Sequence, residues 1–98
     1  MIRPLFARLL WIACIVAPAA PAATIALDVG HNKEEPGAIS ARGRPEFEFN
    51  LVLAREIESA LRARGHATRI IGADGAMKNL WRRARAANGT DLFVSVHH

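Results

Sequence analysis

The sequence predicts an α/β fold with a largely parallel sheet, and three observations carry that prediction. Three short apolar runs, TIALDVG (24–30), HATRIIG (66–72) and DLFVSVHH (91–98), have the patterning of strands. Two longer stretches between them repeat apolar residues at helical spacing. Gly or Pro punctuates the joins. Strand, helix, strand, helix, strand in that order implies right-handed crossovers. In sheets of this kind ligands bind beyond the carboxyl ends of the strands.

The first 23 residues stand apart from this pattern. Arg3 and Arg8 give a basic start, Leu9 to Val16 a short apolar run, and residues 17–23 a small-residue stretch with A-x-A cleavage sites. Together these read as an export signal. The apolar run falls well below the ~20 residues that cross a bilayer, so cleavage is expected rather than a stable membrane anchor. Cys14 is the sole cysteine and lies inside this segment. A lipid-attachment reading of it is disfavoured, because Trp11 replaces the usual Leu and the apolar run continues past it. Cleavage near Ala22 or Ala23 leaves residues 24–98 as one small domain with neither a disulfide nor a thiolate ligand. Removing Arg3 and Arg8 from 13 basic residues leaves 11 against 9 acidic ones, a net charge of +2, which gives no argument for nucleic acid as a partner. A domain of this size buries little surface, so it needs a metal, a partner or more chain to be robust.

The elements of the domain follow in order. Thr24 to Gly30 is a buried strand that delivers His31 at its carboxyl end, and Asn32 to Arg44, with Pro36, Gly37 and Gly43, is a long loop. Pro45 suits a first helical turn, and Glu46 and Glu48 fall near the positive end of the helix dipole. That helix runs to about Arg64, with Leu53, Ile57, Ala60 and Leu61 on one face, and Gly65 stops it. After the second strand, Asp74 is a candidate cap, and Met77, Leu80, Trp81 and Ala84 mark a second helix closed by Gly89. In the third strand Leu92, Phe93, Val94 and Val96 predict burial on both faces.

Two histidines at the ends of two parallel strands, with a glutamate opening the helix after the first, form a candidate set of three metal ligands. Imidazole nitrogens and a carboxylate suit zinc, and three protein ligands leave a position open for water or substrate. Taken singly, His31 reads as a loop histidine with a backbone contact and Glu46 as compensation of the helix dipole. Glu48 competes with Glu46 but lies two residues on, on another face of the helix. His98 competes with His97, and alternation along a strand lets only one of them face a metal. Arg42, Arg44, Arg82, Arg83 and Arg85 read mainly as solvated charges with a secondary capacity to meet anionic groups. VGHNKEEPG is not a phosphate-binding G-x-G-x-x-G loop.

The segments IALDVGH, RPEFEFNL, LWRRARAAN and DLFVSVH, in that order, resemble successive signatures of the zinc-dependent N-acetylmuramoyl-L-alanine amidases. The resemblance implies a three-layer α/β sandwich with a mostly parallel sheet, of which this chain holds only the first β-α-β-α-β part. It implies zinc as cofactor, His31, Glu46 and His97 as its ligands, and peptidoglycan as the partner. Hydrolysis of the amide between N-acetylmuramic acid and L-alanine is the implied activity, in the periplasm or cell envelope. Asn32, which stands where the family often has Gly, and His98 are expected to line the substrate groove. The family's catalytic glutamate lies in a carboxyl-terminal part without counterpart here, so no catalytic residue is assigned. The alternative expectation is therefore a truncated fragment that binds zinc without turnover, with Glu48 and Glu35 the next candidates for the missing group should it prove active. No activator protein is identifiable from the sequence.

Export is testable directly. Mass spectrometry of the secreted product is expected to show a chain lacking about the first 23 residues, whereas an intact Met1 on a cytoplasmic protein contradicts the reading.

Overall fold

The computed structural model describes residues 22–98, so nearly all of the expected export signal lies outside the described residues. Three strands, β1 (Thr24–Val29), β2 (Ala67–Ile71) and β3 (Leu92–Val96), alternate with two helices, α1 (Glu46–Ala63) and α2 (Leu80–Ala86). The sheet order is β2-β1-β3, and both pairings are parallel. β1 is thus central: the crossover through α1 runs from β1 to β2 on one side, and the crossover through α2 runs from β2 back past β1 to β3 on the other. The crevice between the carboxyl ends of β1 and β3 is a topological switch point, the place where α/β sheets bind ligands.

β1 is the most buried strand because it has a neighbour on each side and a helix over each face. Leu27 aligns with Ile70 and Val94, Val29 with Val96, and Leu27 and Val29 are fully buried. Each such side chain contributes roughly 1.5–3 kcal/mol through burial. α1 packs on the face that carries Val29 and Val96, burying Phe47 and Ala54 against them, with Leu51, Leu53, Ile57 and Ile70 around the cluster. Ala60, expected on this face, is exposed. The buried stripe runs instead through Phe47, Asn50 and Ala54.

The start of α1 is fixed by the preceding loop rather than by a capping side chain. Pro45 is the N-cap, one residue before the expected helical turn, and the Glu46 and Phe47 N–H groups donate to the carbonyls of Ala38 (2.7 Å) and Pro36 (2.9 Å). Two of the four N–H groups that a helix start leaves free are thereby satisfied. At the other end Gly65 is left-handed, and the His66 N–H donates to the Leu61 carbonyl at 3.1 Å. Gly65 is the expected stop, by the usual glycine C-terminal motif.

α2 differs from the expectation in three ways. It begins at Leu80, capped by the Asn79 Oδ1, which accepts from the Trp81 N–H at 2.8 Å. Asp74 instead holds a turn by accepting from the Ala76 N–H at 3.0 Å, and Met77 precedes the helix. The apolar residues that marked the helix do not form its buried face: Leu80 and Trp81 are each 78% exposed, and the buried residue is Arg83. Arg83 is therefore not a solvated charge. Its Nη1 donates to Asp28 Oδ1 at 2.7 Å and to the Val29 carbonyl, and its Nη2 donates to the carbonyls of His31 (2.7 Å) and Met77. Asp28 alternates with Val29 along β1, so α2 lies on the sheet face opposite α1.

β3 is an edge strand among the described residues. Leu92 and Phe93 are exposed and only Val96 is buried, so the expected burial on both faces is not observed. α1 reaches only one end of the strand, where Val96 joins the core cluster.

The Asp28–Arg83 pair is buried on both sides, at 4% exposure each. Removing one partner of such a pair leaves an uncompensated buried charge and costs about 3–5 kcal/mol. Arg83→Met is expected to lower the unfolding free energy by about that amount in urea titration. A loss under about 1 kcal/mol, the range of a solvated pair, contradicts the buried-clamp account.

Candidate metal centre

His31, Glu46 and His97 come from three elements and meet at the switch point. His31 follows β1 and is the one described non-glycine residue with a left-handed backbone, φ 66°. That conformation is uncommon for a residue with a Cβ and needs support from its surroundings. Support comes from Arg83, which holds the His31 carbonyl from below. Glu46 opens α1, its backbone fixed by Ala38. His97 follows β3 directly, and the Gly30 N–H donates to the Val96 carbonyl at 3.0 Å, which keeps the two strand ends level.

The side chains converge on one atom. His31 Nε2 and His97 Nδ1 each lie 3.0 Å from Glu46 Oε2, and the two rings meet edge to face with centroids 4.9 Å apart. One ligand atom from each residue falls within 4.8 Å of the others. Ligands about 2.0–2.1 Å from a tetrahedral ion stand about 3.3 Å apart, so the observed set is close to what zinc requires. The donor chemistry, two imidazoles and a carboxylate, fits as well. Glu46 is 8% exposed, His31 33% and His97 52%, so the cluster has a protein side and an open side.

Two glycines make room for it. A Cβ on Gly30 would stand 2.4 Å from the His97 ring, and one on Gly37 would stand 2.7 Å from the His31 ring and 2.9 Å from the Glu46 Cβ. Any side chain at either position displaces a candidate ligand.

The Glu46 carboxyl is held at a pKa of about 2, down from 4.5. The Asn50 side-chain N–H, donating to Oε2 at 3.1 Å, is the largest cause. Burial opposes it, and the backbone N–H of His98, the His97 ring and the backbone N–H of Ala38 add to the lowering. The carboxylate is therefore ionised, as a metal ligand must be.

The remaining candidates take separate places. Glu48 pairs with Arg44 at 3.1 Å on the surface, away from the cluster. The backbone N–H of His98 donates to Glu46 Oε2, but its ring turns to Asn50 Oδ1 at 2.8 Å and packs near Phe49. With Ala38, Ile39, Ser40 and Arg44 it lines a small adjoining cleft. Asn32 is buried, and its Oδ1 accepts from the N–H groups of Glu34 (3.0 Å) and Glu35 (2.9 Å), which shapes the loop after His31. The cleft in front of the cluster is lined by His31, Asn32, Glu35, Lys78 and His97, among others. Glu35 thus stands at the cleft and Glu48 does not. Arg42, Arg82 and Arg85 are exposed, and Arg44 also stacks over Phe49, 4.9 Å from the ring centroid. Asn50 is the residue that sequence reasoning passed over. Its signal was its position one helical turn after Glu46, on the same face.

Comparison with known proteins agrees with the fold and identifies the family. A sequence model described as N-acetylmuramoyl-L-alanine amidase matches residues 25–98. The chain is 33% identical over 75 residues to N-acetylmuramoyl-L-alanine amidase AmiA of Escherichia coli (strain K12), a match covering 74% of this chain and 26% of AmiA. It is 37% identical over 75 residues to N-acetylmuramoyl-L-alanine amidase AmiC of Neisseria meningitidis serogroup B (strain ATCC BAA-335 / MC58), covering 74% of this chain and 18% of that protein. Among solved structures, the catalytic domain of CwlV, an N-acetylmuramoyl-L-alanine amidase from Bacillus (Paenibacillus) polymyxa var. colistinus, is similar with a TM-score of 0.69 at 28% identity, over 76% of this chain and 44% of that one.

The lowered carboxyl gives a pH prediction for the metal-free protein. A group with a depressed folded pKa contributes stability above its unfolded value and loses it as pH falls through the folded one. Relative to Glu46→Gln, the parent's thermal midpoint is expected to lose ground as pH falls from about 4.5 to about 2. A difference between the two that stays constant across this window contradicts the assignment.

Proposed function

The chain belongs to the N-acetylmuramoyl-L-alanine amidase family, and from that premise we propose that it carries the zinc-ligand part of an exported hydrolase that cuts the amide between N-acetylmuramic acid and L-alanine in peptidoglycan. The observation that carries the reading is the convergence of His31 Nε2 and His97 Nδ1 on Glu46 Oε2 at the switch point of the sheet. When bound there, zinc supplies Lewis acidity that polarises a carbonyl and makes water a better nucleophile near neutral pH.

The chain's own residues do the holding and orienting. Glu46 meets the ion as a carboxylate, and the hydrogen bonds from Asn50 and the His98 backbone N–H keep it charged well into the acid range. His31 and His97 bind through neutral nitrogens, Nε2 and Nδ1 respectively, and their partial exposure leaves the cleft side open for a substrate carbonyl. The chain spans 26% and 18% of the length of the two amidases named above, so amide hydrolysis is proposed for the protein that includes the family's carboxyl-terminal part and metal binding for this chain.

Zinc titration by calorimetry tests the ligand set. One equivalent is expected to bind the parent and His98→Ala, while His31→Ala, Glu46→Ala and His97→Ala lose most of the affinity. Parent-like binding by all three ligand variants, or loss in His98→Ala rather than His97→Ala, overturns the assignment.

A further inference from the structure

Asn50 lies at the centre of the cluster without being one of its three candidate ligands. It is on α1, one turn after Glu46, and is fully buried at 0% exposure. Its Nδ2 donates to the Gly30 carbonyl at 3.1 Å and to Glu46 Oε2 at 3.1 Å, and its Oδ1 lies 2.8 Å from His98 Nδ1. A carboxamide has two N–H donors and one carbonyl acceptor. Both donors are taken by oxygens, which fixes the orientation of the amide: turned over, it would set Oδ1 against a carbonyl and a carboxylate. Oδ1 therefore faces His98, and the ring nitrogen opposite it carries the hydrogen. One side chain thus ties the residue before His31, the carboxylate of Glu46 and the residue after His97.

Core packing alone gives no reason for an amide here. Phe47, Ala54 and Val29 surround this part of α1 with apolar groups, and a leucine of similar volume would need no hydrogen-bond partners. The chain has an amide there instead, and all three of its contacts lead to the cluster. We propose that Asn50 is a positioning residue for metal binding, holding Glu46 Oε2 where His31 and His97 converge and fixing the strand ends on either side of it. The proposal rests on the zinc reading given above. Partners that orient a metal ligand typically contribute 10–100-fold to affinity.

The experiment measures zinc affinity by competition with a chromophoric chelator, together with thermal unfolding of the zinc-free forms. The proteins compared are the parent, His31→Ala, Asn50→Leu, Asn50→Ser and Ala54→Gly. Asn50→Leu is expected to unfold cooperatively and to bind zinc about 10–100-fold more weakly. Ala54→Gly, which weakens the same helix without touching the cluster, is expected to bind as the parent does. Should Asn50→Leu not fold, Asn50→Ser carries the same comparison, since its short hydroxyl cannot span the three partners. Parental zinc binding, lost in His31→Ala but unchanged in the folded Asn50 variant, overturns the positioning role and leaves the ligand set standing. So does an equal loss in Ala54→Gly, which reduces the effect to stability. Absence of zinc binding by the parent overturns the metal reading and this inference with it.

Discussion

A single carboxylate oxygen, Oε2 of Glu46, gathers four nitrogen atoms from three parts of the chain: His31 Nε2, His97 Nδ1, Asn50 Nδ2 and the backbone N–H of His98. A buried carboxylate is costly unless its charge is met. Here it is met by groups at the end of β1, on α1 and just past the end of β3. Satisfying that one charge therefore brings the elements into register, and the register places two imidazoles and a carboxylate around one point. Fold and site answer to the same electrostatic demand.

The opposite face of the sheet supplies a second constraint. Arg83 reaches from α2 to Asp28 on the facing side of β1 and to the carbonyls of Val29, His31 and Met77. Ser95 on β3 adds a hydrogen bond from its hydroxyl to the other Asp28 oxygen at 2.7 Å. His31 can hold its left-handed backbone because its carbonyl is held from beneath while its ring is drawn to Glu46 from above. Gly30 and Gly37 leave the space that both rings occupy. An isolated loop histidine would have none of these supports.

Much of this was legible in the sequence, for identifiable reasons. The strands showed because each is a short apolar run ended by Gly or His, and Gly65 marked the end of α1 because only a glycine tolerates that backbone cheaply. His31, Glu46 and His97 were legible from their places at element ends, where α/β sheets bind ligands, and from family resemblance. The buried face of α2 was not legible. Leu80 and Trp81 have the spacing of a core stripe, yet the helix turns Arg83 inward, because a buried aspartate on the central strand and three backbone carbonyls demand a guanidinium there. Asn50 escaped for a related reason: an asparagine in a helix reads as a solvated residue until its partners from β1 and beyond β3 are known. Tertiary demand for hydrogen bonds leaves a fainter local pattern than apolar periodicity does: for Asn50 it was only the spacing of one helical turn from Glu46.

The account rests on one ion being held where these side chains converge. The most direct measurement is an anomalous difference map at the zinc edge from crystals soaked in zinc. A single peak about 2.0–2.2 Å from His31 Nε2, a Glu46 carboxylate oxygen and His97 Nδ1 is the predicted result. A peak on His98 in place of His97, or a cluster that stays metal-free at saturating zinc, would contradict it.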